Sequence, residues 1–321
     1  MIAERYERFA RSEAAGRSPL YEKLALHIAN SPPCLSFLAR LPEEKQQPNL
    51  LFAALRMAAG LPTSADMLEA MLDQHQEAIA AIMLSRTTQT NEPGRCAALM
   101  PALRQLEGPI ALIEVGASAG LCLLPDCYGY NWGAHHLAAP EVFRQSAPVF
   151  PCEASQNTPR PIRHPDIVWR AGLDLNPLDL SNEENVNWLQ ALVWPEHEDR
   201  LERLKQALIV ARQQKPPVFE GNLLKDLPAL IEEAPKGARL VVFHTAVLSY
   251  VGEQSERDAF ARQMMASDAV WLCNESPRVF PQFSAGLVSN GAGRFLLTRN
   301  GEALAWTGPH GQSVDWIGSL S

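Results

Sequence analysis

The chain has 321 residues, 46% hydrophobic and 20% charged, with a formal net charge of −8. That balance describes an ordinary soluble protein of about two domains, and an acidic chain disfavours a sequence-independent grip on nucleic acid, which needs a basic surface. No apolar run approaches the ~18 residues that cross a bilayer, and the charged opening from Met1 to Ala10 is unlike a secretory signal, so a cytoplasmic protein with no membrane contact and a small-molecule or protein substrate is expected.

Six cysteines (Cys34, Cys96, Cys122, Cys127, Cys152, Cys273) include no C-x-x-C pair. Neither a zinc site nor a disulfide framework is indicated, and no metal is expected. Residues 1–107 contain no convincing strand. Tyr6, Phe9 and Ala10, then Leu20, Leu24 and Ile28, then Leu51, Leu55 and Met57, then Met67, Leu68, Met71 and Leu72, recur at helical spacing between prolines. The spacing predicts an all-α N-terminal domain over 1–107, with its Met and Leu stripes in the core. His27 and His75 lie in these helices without partners at ligand spacing and are read as surface or capping residues. A helix from about Arg95 to Leu106 leads through Gly108-Pro109 into a second domain, 108–321.

That domain opens on Pro-Ile-Ala-Leu-Ile-Glu-Val-Gly-Ala-Ser-Ala-Gly-Leu-Cys, residues 109–122. Ile110 to Val115 suits a strand buried on both faces, the habit of a central parallel strand. Gly116, Ala117, Ser118 and Gly120 then permit a tight turn with backbone N–H groups close to a ligand at a helix N-terminus. Read as Glu114-x-Gly116-x-x-x-Gly120, the stretch resembles the first motif of class I S-adenosylmethionine-dependent methyltransferases. Read as Gly116-x-Ser118-x-Gly120, it matches the nucleophile elbow of α/β-hydrolases. A tight structural connection is the third reading.

Residues 132–165 are proline-rich, with adjacent His135 and His136, and read as an irregular insertion. Ile167 to Asp174 is a strand, Ser181-x-x-Glu184 a capping box, and Trp188, Leu189, Leu192 and Val193 the buried face of the helix that follows. Strands at 217–222, 239–245 and 269–275 alternate with helices at 223–233 and 253–265, which implies right-handed crossovers and a doubly wound, mostly parallel sheet. Asn300-Gly301 between two apolar runs predicts a closing antiparallel hairpin.

Strands preceded by helices and begun at the glycine turn are similar to the class I methyltransferase plan. In an α/β-hydrolase several strands precede the elbow, and here His244 or His310 would have to serve as base with Asp174 or Asp179 as its orienter. The chain also resembles domain-of-unknown-function family 2332, an uncharacterised bacterial group. The resemblance rests on residues 114–121, Asp126-x-Tyr128-x-Tyr130, residues 170–179, Trp188-Leu189, residues 193–197 with Arg200, and residues 242–245 with Tyr250.

Carried onto this sequence, the methyltransferase resemblance implies S-adenosylmethionine as cofactor. Gly116 to Gly120, with Ala117 and Ser118, would face its methionine part, Glu114 would orient its amino group, Asp174 would take the ribose hydroxyls and Asn222 the adenine amino group. Ser118 departs from the usual middle glycine, and Asp174 lies far beyond the usual ~20 residues after the turn. His244, at the carboxyl end of its strand, is the expected general base, because an unperturbed pKa near ~6.5 suits proton removal from a nucleophile. Tyr250 is a second catalytic candidate. Three functions stay open: a methyltransferase on an unknown substrate, a serine hydrolase using Ser118, and a non-catalytic adenosyl-ligand-binding protein.

Overall fold

The computed structural model describes residues 1–89, 91–289 and 291–318. The chain divides into two units, the first made of residues 1–90 and 182–202, the second of residues 91–181 and 203–321. Each is mixed from segments distant in sequence, and together they give an α/β protein with one large, mostly parallel sheet.

The first unit holds α1 (Ile2–Phe9), α2 (Pro19–Asn30), α3 (Pro32–Ala39), α4 (Pro48–Ala58) and α5 (Ala65–Ser85). The prolines that punctuate the sequence open helices here. Pro19 and Pro32 follow the N-cap serines Ser18 and Ser31, whose hydroxyls accept from Tyr21 N and Cys34 N. A first-turn proline forfeits no intrahelical bond, because the N–H it lacks would have had no partner. The buried stripes include Leu24, Ile28, Leu51, Leu55, Leu68, Met71 and Leu72, and Tyr21 stacks on Phe52 with ring centroids 4.2 Å apart.

Residues 182–202 return to this unit, which differs from the expected boundary at 107. α7 (Glu183–Ala191) buries Trp188 in the N-terminal core, and its indole donates to Thr87 O at 3.1 Å. Trp194 donates to Asn49 Oδ1 at 2.9 Å, and Arg56 reaches the carbonyls of Ala191 and Val193. The cap of α7 also shifts. Asn182, not Ser181, accepts from Glu184 N, while the Ser181 hydroxyl donates to Asp179.

α6 (Arg95–Leu103) goes the other way. Every residue of it is buried within the second unit, and Trp132 donates to Ala97 O. Among the described residues no strand precedes β1 (Ile110–Val115). β1 is flanked by β6 (Ile167–Asp174) and β8 (Arg239–Thr245), both parallel to it, with β7 (Val218–Glu220) beyond β6 and β9 (Val270–Glu275) beyond β8. Numbered by first appearance, these five strands stand in the order 3-2-1-4-5, so the winding reverses beside β1. α8 (Glu198–Gln214), α9 (Leu227–Glu232) and α10 (Gln254–Met265) supply crossover helices. β10 (Phe295–Arg299) and β11 (Glu302–Thr307) form the expected hairpin, with Asn300 and Gly301 both at positive φ, and β12 (Ser313–Trp316) extends it.

The insertion is more ordered than its sequence suggests. β2 (Gly129–Asn131), β3 (His136–Leu137) and β4 (Val149–Pro151) make a three-stranded sheet, and β5 (Glu153–Ala154) adds to β12 at the edge of the large one. Its anchor is a bidentate pair from Arg170 on β6 to Asp126, at 2.8 and 2.7 Å, with Arg170 also donating to Leu123 O. Tyr128 and Tyr130 donate their hydroxyls to Leu121 O and Pro125 O. The Asp126, Tyr128, Tyr130 and Arg170 pattern is therefore a brace.

Candidate ligand site

The winding reversal makes the carboxyl edge of β1 the natural ligand position of an open α/β sheet. β1 ends in Glu114, 4% exposed, and Val115, and the chain then turns through Gly116 at φ 73°, Ser118 at φ 51° and Gly120 at φ 72°. Left-handed backbone at three of five positions explains the glycines and leaves Ser118 strained.

The glycine turn was expected to offer free N–H groups at a helix start, and the structure corrects this. Gly116 N and Ala117 N donate to Leu173 O at 2.7 and 3.3 Å, and Gly120 N to Ala117 O at 2.7 Å. Only a 3-10 turn, Leu121–Leu123, follows, because Pro125 lies too close for an α-helix to develop. Nor do the glycines leave room for a ligand. A Cβ on Gly116 would lie 2.4 Å from Val247 Cγ2, and one on Gly120 would lie 3.0 Å from Pro216 Cγ. Internal packing uses both bare backbones.

The edge does gather three oxygen-bearing side chains. Asp174, ending β6, accepts from Ser118 N at 2.8 Å through Oδ2 and from Asn176 N at 2.7 Å through Oδ1. Glu114 Oε2 and Ser118 Oγ are buried without a hydrogen-bond partner among the described residues. Burial, with the nearby Cys122 and Asp174 adding to it and Arg95 opposing, pushes the Glu114 pKa well up. Burial thus favours the protonated form of this carboxyl, which can donate as well as accept. Asn222 lies one residue past Gly221, whose N–H bonds Asp174 O, so it shares this edge. Its carboxamide oxygen, however, caps the next turn by accepting from Leu224 N and Lys225 N.

His244 is fully buried, and its environment differs from that of a general base. Trp271 Nε1 donates to its Nε2 at 3.0 Å, which fixes the tautomer and leaves Nδ1–H to donate to Glu275 Oε1 at 2.8 Å. The same Glu275 oxygen accepts from Val247 N and Leu248 N at 2.8 and 3.1 Å. Both ring nitrogens are thus occupied, and the network pins the loop that carries Val247 against Gly116. Tyr250, two residues beyond that pinned pair, is 71% exposed. Ser118 Oγ bonds neither His244 nor His310, so the nucleophile–base contact an elbow requires is not formed.

Arg95, not singled out in the sequence, is 6% exposed, donates to Pro309 O at 2.8 Å and Thr245 O at 3.0 Å, and lies near Glu114. The signal was an arginine opening an otherwise apolar helix. Sequence spacing gives His27 no partner, whereas His27 Nε2 lies 2.8 Å from Glu69 Oε1. Those two residues are separated by two helices, beyond the reach of a spacing rule.

Fold and edge together define an α/β protein with a mostly parallel sheet whose central strand ends in a tight, small-residue turn beside an acidic neighbour. The model of the family described as "Uncharacterized protein conserved in bacteria (DUF2332)" matches residues 3–316, and the chain belongs to that family. No curated protein and no solved structure matches it. No helix among the described residues is long and apolar enough to cross a membrane.

Proposed function

We propose that the carboxyl edge of β1 and β6 is the ligand site, that it takes an adenosyl cofactor, S-adenosylmethionine, and that the protein is a methyltransferase of the class I type. The observation that carries this reading is the pair of buried oxygens, Glu114 Oε2 and Ser118 Oγ, left without partners at the end of the central strand. A buried polar atom without a partner costs about 1–3 kcal/mol, so a ligand polar group that satisfies it is bound with that advantage.

The residues present fit such a cofactor in part. Asp174 ends β6 with its carboxylate held in place by two backbone N–H groups, at the position where ribose hydroxyls would be met. Glu114 and Ser118 would meet the polar methionine end. Gly116, Gly120 and Asn222 are engaged in packing and capping and contribute shape alone. The cofactor would supply the methyl group, while this chain binds and orients it. His244 acts as a positioning residue, holding Glu275 and through it the Val247 loop.

The hydrolase reading has one supporting observation, the positive φ of Ser118, and lacks a base. Calorimetric titration of the intact protein with S-adenosylhomocysteine, repeated on Ser118→Gly, tests the proposal. Binding to the wild type that weakens but persists in Ser118→Gly, which removes one of the two oxygens and keeps the turn, supports it. Esterase activity on a short-chain p-nitrophenyl ester that disappears in Ser118→Ala, with no adenosyl binding, would replace it with the hydrolase.

A further inference from the structure

The helical unit carries a second cluster unrelated to the sheet edge. A ring nitrogen of His27 on α2, Sγ of Cys34 on α3 and a carboxylate oxygen of Glu69 on α5 all lie within 4.8 Å of one another. We propose that these three side chains bind a thiophilic divalent cation, Zn2+ first, as a three-residue site completed by water.

The donor set matches the ion. Zinc takes nitrogen, thiolate and carboxylate ligands at about 2.0–2.3 Å in tetrahedral array, which sets neighbouring ligand atoms roughly 3.3–3.8 Å apart. The ligand atoms, all within 4.8 Å of one another, bracket that spacing, and the 2.8 Å His27–Glu69 contact would have to open to admit the ion. Three protein ligands with an open fourth position are the catalytic rather than the closed structural pattern of zinc.

The surroundings provide the outer support such sites use. Ser31 Oγ donates to Glu69 Oε1 at 2.6 Å and accepts from Cys34 N at 3.4 Å, so one buried hydroxyl orients two of the three ligands. Entry is open on one side. His27 and Glu69 are 32% and 38% exposed, while Cys34 forms the buried floor. A free thiol carries its proton at neutral pH, so binding displaces it: the Cys34 S–H bond breaks, a zinc–thiolate bond forms, and one proton leaves to solvent. His27 binds as neutral imidazole and Glu69 as carboxylate, and neither oxidant nor reductant is required.

The site ties α5 to the consecutive helices α2 and α3, so the ion would act as a cross-link within the unit. The protein therefore gains stability with free metal concentration by simple linkage.

Titration of the intact, chelator-stripped protein with Co2+ tests the proposal by its spectrum. The expected result is a thiolate-to-cobalt charge-transfer band in the near ultraviolet at one equivalent, displaced by Zn2+. The band is lost in Cys34→Ala, a change that removes one sulfur atom and leaves the helix intact. Glu69→Gln and His27→Asn, both at part-exposed positions, weaken binding by about 10-fold or more, the loss expected when a ligand is removed. Absence of the band in the wild type would overturn the proposal, as would a band that persists in Cys34→Ala or an affinity unchanged in both Glu69→Gln and His27→Asn. The first outcome leaves the His27, Ser31 and Glu69 contacts as a hydrogen-bond network alone.

Discussion

Two neighbouring stretches of one sheet edge, the ends of β8 and β9 and the ends of β1 and β6, use buried polar groups in opposite ways. At β8–β9, His244 gives both ring nitrogens to Trp271 and Glu275, and one Glu275 oxygen collects three donors. At β1–β6, Glu114 Oε2 and Ser118 Oγ are buried without a hydrogen-bond partner among the described residues. The first arrangement holds a loop in place; the second keeps polar capacity for something else. A titratable residue at the end of a parallel strand is thus not by itself a catalytic one. What its nitrogens or oxygens already hold decides its role.

The largest effect should come from breaking the satisfied side. His244→Ala removes a fully buried ring packed on Trp271 and Phe260 and leaves the Trp271 N–H without an acceptor. A loss of about 3–4 kcal/mol in chemical denaturation is expected from cavity and unpaired donor together. A fully stable His244→Ala would return His244 to the list of candidate bases.

Next in size is the junction between the two stretches. Gly116→Ala drives a Cβ into Val247 at a left-handed φ and should cost on the order of 3 kcal/mol. Val247→Ala in the same molecule should recover the steric part, measured by a double-mutant cycle. Strict additivity would show that the two residues do not meet.

Glu114 gives a pH signature. Its folded pKa is raised above the ordinary value of 4.5, so the native state holds a proton that the unfolded chain releases. The stability this group contributes is fully present below 4.5 and is lost as pH rises toward and through the raised folded value. Relative to wild type, Glu114→Gln should therefore gain stability progressively as pH is raised above 4.5, read from denaturation midpoints. Parallel pH profiles for the two proteins would mean that Glu114 is ionised in the fold.

The smallest effect should be Ser118→Gly. Relief of a positive φ favours the variant and the extra freedom of the unfolded glycine opposes it, leaving a net gain below ~1 kcal/mol. A loss greater than that would show that the Ser118 hydroxyl has a bonding role in the free protein.

How much of this could be read beforehand follows from the range of the forces involved. β1, β8 and β9 were legible because a strand buried on both faces is a short apolar run, and the β10–β11 turn because Asn300-Gly301 fits positive φ at both positions. The first unit's stripes were legible from their 3.6-residue period. Residues 182–202 were not assigned to that unit, because the face of Trp188 shows what is buried and not against what. Strands of two or three residues, such as β3 and β5, fall below any periodicity. At the site, Glu114 and Asp174 were found from their place at strand ends, and Asp174 does meet the turn through Ser118 N. The glycines were read as ligand-facing, whereas Val247 and Pro216, more than ninety residues away in sequence, fill that space. The engagement of His244 depends on Trp271 and Glu275 from the next strand, a cross-strand fact that no local pattern encodes.

Asp174→Ala tests the central claim most directly, because it removes the side chain that bonds the turn through Ser118 N and ends β6, at the proposed ligand position. S-adenosylhomocysteine is titrated calorimetrically into the wild type and into Asp174→Ala, with folding of each checked by denaturation. The account predicts saturable binding to the wild type and at least tenfold weaker binding to the variant, about 1.4 kcal/mol. No binding to the wild type, or equal binding to both proteins, would contradict it.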